Sequence, residues 1–191
     1  RYEEIPEVLR NAIIATEDEN FFNHIGINLW RIPAAVWANF RSGRKGQGFS
    51  TLTMQLSRLL FLSPQKTYER KLREILLALE IERRFTKKEI FTLYCNLVNF
   101  GHGYYGVEAA SRFYFNKAVK DLSLPQAALI AGIGQSPARQ SPIEHPDRVR
   151  SLASIMSSIR SSGIDLGART STRPSRSMTI SAVVRWLRKT S

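Results

Sequence analysis

Segment after segment of this chain returns an apolar residue every three or four positions, and few stretches alternate in the two-residue period of a strand. A chain patterned this way buries helix stripes, so a mostly α fold is expected. IPEVLRNAIIAT at 5–16 has Pro6 at a first-turn position and Val8, Leu9, Ala12 and Ile13 at helix spacing. That predicts a helix ending near Thr16, with Glu17 at its C-terminal end. STLTMQLSRLLFL suits a buried helix capped by Ser50 or Thr51, and a turn at SPQK opens the next one, TYERKLREILLALEIERRF. In TKKEIFTLYCNLV, Thr86 and Glu89 stand at the capping-box spacing. FGHGYYG puts Gly101, Gly103 and Gly106 in a turn as backbone-shape residues, and LSLPQAALIAGI reads as a short apolar helix.

The chain has 191 residues, 43% of them hydrophobic, which is enough for one domain with a real core. No apolar run approaches 18 residues, so no membrane span is expected inside it. It opens at Arg1 without a signal-like segment, so it reads as a fragment of something longer. The one cysteine, Cys95, excludes an internal disulfide and is expected to pack inside a helix. A formal net charge of +12 invites an anionic partner: nucleic acid, an anionic membrane surface or a phosphorylated substrate. Much of it is local, because Arg41 to Glu74 holds eight basic and two acidic residues. Residues 148–191 are rich in serine, threonine and arginine, and are expected to be weakly ordered.

Two carboxylates stand in unlike surroundings. Glu17 lies at a negative helix end beside Asp18 and Glu19, which should raise its pKa and make it the better base. Glu74 shares a helix face with Arg70 and Lys71, opposite Leu72, Ile75, Leu76 and Leu79, and should stay ionised among cations. The plain alternative for Glu74 is a solvated helix face with an i,i+4 ion pair. Glycosyl chemistry needs such a pair: one carboxylate moves a proton at a sugar oxygen and the other assists the second group in the reaction.

The motifs then become specific. Glu17, Asp18, Phe21, His24 and Gly26 spell E-D-x-x-F-x-x-H-x-G; GFSTLTMQ follows at 48–55, RKLRE at 70–74 and EIFTLYCN at 89–96. In this order and spacing they resemble the peptidoglycan glycosyltransferases, the transglycosylase domains of class A penicillin-binding proteins and their monofunctional relatives. The likeness runs from about residue 5 to 147 and takes in LSRLLFL, FGHGYYGVEAA and SPIEHPDR. It implies a mostly α, lysozyme-like fold with a larger head lobe and a smaller membrane-associated jaw lobe around a cleft. It also implies a glycosyltransferase domain over 1–147, with 148–191 as an atypical tail, at the outer face of the bacterial cytoplasmic membrane.

By the same resemblance, Glu17 is the general base and Glu74 the second family glutamate, near the pyrophosphate. Asp18, Phe21, Ser50, Thr51, Gln55, Arg58, Lys66, Arg70, Lys71 and Arg73 are expected to bind substrate or frame the site. Phe21 and His24 help to fix the base. The implied partners are lipid II, the growing glycan chain and the membrane surface, the last met by INLWRIPAAVWANFRSG through Trp30 and Trp37, with no nucleic acid. A transpeptidase domain or other cell-wall synthesis proteins are further implied partners. No cofactor is required by the sequence, while a divalent metal, Mg or Mn, fits the chemistry.

Some residues depart from the family pattern. Phe49 stands where a small residue is usual, Met54 replaces the first glutamine of the usual pair, and VRSLASIMSSIRSSGIDLG lacks the expected arginine-bearing helix, as a reading-frame slip near Arg148 would produce. The rival readings are a lysozyme-like hydrolase, a nucleic-acid-binding module, and an inactive relative that only binds lipid-linked precursor.

Overall fold

The computed structural model describes residues 1–28, 50–62 and 67–145. Expectations for Trp30, Trp37, Phe49, Lys66 and the tail from 148 onward lie outside the described residues. Among the described residues every regular element is helical, and the β contact is one isolated antiparallel bridge, Asn99 to Tyr105. The mostly α expectation holds. The chain divides into two compact units, one of Arg1, Glu3–Glu19 and residues from Asn99 onward, the other of Tyr2 and Asn20–Val98.

In the first unit, helix α1 (Glu7–Glu17) buries Leu9, Ala12, Ile13 and Thr16, the i, i+3, i+4, i+7 stripe of an amphipathic helix. Its partner is α6 (Leu124–Gln135), in which every residue from Ala127 to Ile133 is buried. Ser123 starts α6 with a capping box to Gln126, and Pro125 falls in the first turn, where its missing N–H costs nothing. Helix α5 (Val107–Phe115) and the short α7 (Pro137–Gln140) are this unit's other described α-helices. The turn before α5 carries Gly101, Gly103 and Gly106 at φ of +86°, +80° and +86°, the conformation for which the sequence reserves glycine.

The second unit is built from α2 (Leu52–Phe61), α3 (Tyr68–Arg84) and α4 (Lys87–Leu97), with α2 packed on both of the others. Each begins with a threonine whose side chain accepts a backbone N–H three residues on: Thr51 from Met54, Thr67 from Arg70, Thr86 from Glu89. Thr86 and Glu89 form the expected capping box. Helix α4 buries Ile90, Phe91, Tyr94 and Cys95, and Phe21 joins them with its ring tilted against Phe91, 6.2 Å between centroids.

Helix α3 overturns the solvated-face alternative for Glu74. Its buried residues are Glu74, Ala78 and Ile81, whereas Leu72 and Leu76 are each 58% exposed. Helical period identifies which residues share a face but not which face turns inward. Here the charged side is the one covered.

Candidate active site

Glu17 is the last residue of α1, and Asp18, fully buried, closes the helix by donating its backbone N–H to Ile14 O at 2.9 Å. The preceding turn is tied down within the same unit. The Thr16 hydroxyl donates back to Ala12 O and Ile13 O, while the Gln135 amide of α6 donates to Thr16 O at 3.4 Å. Glu17 itself is half-buried, a carboxylate at the carbonyl end of an anchored helix.

The second carboxylate is more constrained. Glu74 has no solvent exposure, and its two oxygens accept from two cations: Lys71 Nζ at 2.9 Å and Arg70 Nη1 at 3.3 Å. Lys71 also donates to Ser50 Oγ at 2.8 Å, just before the N-cap of α2. From α2, Ser57 Oγ bonds Glu74 O at 3.1 Å, so helix backbone as well as side chain is held. The solvated-face alternative fails, because a bare carboxylate at this depth would be costly and is sustained by its cations. The cations remain partly open, Arg70 at 14% and Lys71 at 26%.

The other expected residues divide. Thr51 is buried, capping α2 through Met54 N and donating to Gly26 O at 2.6 Å, so it joins two motifs from beneath. Phe21 is fully buried, edge-on to Phe22 and His24, which makes it core of its unit. His24 Nδ1 accepts from Gly26 N at 3.0 Å and shapes that turn. Gln55 and Arg58 are half-buried on α2. Arg73, expected to bind substrate or frame the site, is exposed and donates to Glu69 at 2.6 Å. Met54, the departure from the usual glutamine, is fully buried and faces the core. Asn96 is exposed, and burial pushes the Cys95 thiol well above its ordinary value, which leaves it protonated and inert.

A family model described as Transglycosylase matches residues 1–159. The chain belongs to the transglycosylase family. Among similar proteins are penicillin-binding protein 1A of Aquifex aeolicus, 50% identical over 146 residues, and penicillin-binding protein 1F of Bacillus subtilis, 43% identical over 145. Penicillin-binding protein 1A of Neisseria lactamica is 43% identical over 147 residues. These matches cover 76–77% of the chain and 18–20% of the relatives, so the chain spans about a fifth of the curated relatives it matches.

The transglycosylase domain presents one feature that the sequence reading missed. Leu59, Leu60 and Phe61 at the end of α2, Tyr68 at the start of α3, and Leu72 and Leu76 are all exposed in the same unit. The signal lay in LSRLLFL, whose second half is apolar at positions that cannot all face one core. Among the described residues no group of three or more His, Cys, Asp or Glu side chains could hold a metal ion. No helix among them is long and apolar enough to cross a membrane.

Proposed function

We propose that this transglycosylase domain polymerises peptidoglycan glycan chains from lipid II, at the outer face of the bacterial cytoplasmic membrane. The observation that carries the reading is the Glu74 corner: a fully buried carboxylate holding Arg70 and Lys71 side by side, with Ser50 on the same ammonium. Such a preorganised pair of cations suits an oxyanion that gains charge as a bond breaks. A sugar-linked pyrophosphate is a leaving group of that kind.

In the proposed reaction, the 4-hydroxyl of the lipid II acceptor sugar attacks the anomeric carbon of the growing chain. Glu17 takes the hydroxyl proton as the new C–O bond forms. The bond from the anomeric carbon to the pyrophosphate oxygen breaks with its electron pair, and the configuration inverts. Arg70 and Lys71, held by Glu74, stabilise the departing charge, and Arg58 and Lys66 add to the positive field around it. A lysozyme-like hydrolase transfers to water and does not face a pyrophosphate, so it gives no use for this corner.

The exposed apolar residues of the second unit support a membrane-surface partner, because a substrate with a polyprenyl tail must be met at the bilayer. The test is to incubate the purified chain with lipid II in detergent. Glycan polymer is the expected product; cleaved glycan, or binding without turnover, would overturn the reading.

A further inference from the structure

Glu82 and Lys87 belong to no part of the site described so far, yet the active-site motifs of the second unit converge on them. Glu82 Oε1 accepts both the Thr53 hydroxyl, at 2.5 Å, and Lys87 Nζ, at 2.7 Å, and both charged side chains are largely buried. Gly26 lies close against the Glu82 side chain. At φ +92°, a Cβ there would stand 2.9 Å from Glu82 Cγ and 3.0 Å from Ala78 O, so the close approach requires glycine. Lys87 Nζ also sits 4.7 Å from the centroid of the Phe21 ring.

Two features argue that this pair does more than add stability. Lys87 is the first residue of α4, a position where the helix dipole disfavours a cation, so its place there is set by Glu82. A buried ion pair is also a weak source of net stability compared with apolar packing, and its better-attested use is to fix geometry. What it fixes here is the first turn of α2. Thr53 is pinned to Glu82, and Thr51 is pinned to the carbonyl of Gly26, the glycine that packs against the Glu82 side chain. The residue just before that turn is Ser50, whose hydroxyl takes a hydrogen bond from Lys71.

We propose that the Glu82–Lys87 ion pair is a positioning device that sets the start of α2 so that Ser50 can hold Lys71 beside Glu74. It rests on the reading of that corner as the leaving-group site. Neither residue touches substrate. The pair acts through Thr53 and Ser50, and its loss lets the Lys71 ammonium drift from its working place.

The test is a double-mutant cycle on the full chain, measuring kcat and KM with lipid II per folded molecule, well below each variant's melting temperature. Ser50→Ala, Glu82→Gln and their combination are compared. Thr53→Val serves as a second probe that removes the Glu82 contact while leaving both charges paired, should Glu82→Gln fold poorly. Each single change should lower kcat/KM about tenfold, and the combination should lower it little further, since members of one network are non-additive. Lys87→Arg, which keeps the ion pair, should retain most activity where Lys87→Met does not. If Ser50→Ala costs activity but the second change adds its full separate loss, the positioning role is wrong while the leaving-group corner stands. If Ser50→Ala leaves kcat/KM unchanged, the positioning role falls, while the corner itself stands or falls with Glu74→Gln, which keeps Ser50 and removes the charge that holds both cations.

Discussion

Replacing Glu74 with Gln keeps the shape of the buried side chain and removes its charge, and the structure allows the consequence to be worked through. Two charge-assisted contacts, to Lys71 at 2.9 Å and to Arg70 at 3.3 Å, are lost or weakened. Each is worth about 1.5–3 kcal/mol. Because the amide oxygen can still accept from one of the two cations, part of this interaction survives, and the lower end of that range applies. Placement of the two cations is then weakened by about 3 kcal/mol in all, and at about 1.4 kcal/mol per decade the rate should fall roughly a hundredfold. The fold should lose less, because the amide oxygen still accepts one hydrogen bond. A cost of about 1–2 kcal/mol corresponds to a melting temperature lower by roughly 2–8 °C. The assay is glycan polymer formed from lipid II, read at a temperature where parent and variant are both fully folded. A parental rate together with a lowered melting temperature would refute the reasoning and make Glu74 a purely structural anchor.

Glu17→Gln removes the proton acceptor and should slow polymerisation roughly 10²–10⁴-fold with little change in melting temperature; a rate within tenfold of the parent would dismiss Glu17 as the base. Arg58→Ala should weaken binding of a lipid-pyrophosphate by about 1.5–3 kcal/mol and leave a neutral, lipid-free glycan unaffected, which parallel titrations would show. For Cys95, burial raises the thiol pKa in the folded state above its unfolded value of about 8.5. Its contribution is therefore complete below about pH 8.5 and declines as pH rises further, because the unfolded chain ionises first. Denaturant melts across that range should show the decline in the parent and not in Cys95→Ala.

Local rules carried far in this chain. The caps, the glycine turn and the placement of Glu17 at a helix end depend on neighbours within one turn, so Thr86 and Gly101 could be read directly and Thr51 as one of two candidate caps. Orientation depends on tertiary partners. Leu72 and Leu76 look like core by period, but Glu74 needs the inner face of α3 to keep its cations aligned, and the leucines are turned outward. Thr51 and Phe21 were legible as motif residues, while their burial was not, because a motif spells out a site without saying which members hold it from below. Glu82 carried no warning at all. It sits among Glu80, Arg83 and Arg84, an ordinary surface-like charge run, and only the meeting of Thr53, Lys87 and Gly26 sets it apart.

The packing of α1 on α6 bears on how the chain is made. Glu17 ends α1 and α6 does not begin until Leu124, so the helix bearing the proposed base emerges from the ribosome long before its partner exists. A lone helix of 11 residues is marginal in water, and this one has an apolar stripe to cover. At about 5–20 residues per second, several seconds of synthesis separate the two. Through that interval the second unit, local in sequence, can close on itself while α1 waits. A nascent chain arrested before Leu124 should therefore carry a folded second unit and an N-terminal segment open to chaperones, and completion of this contact of high sequence separation should be the slow, late step of folding.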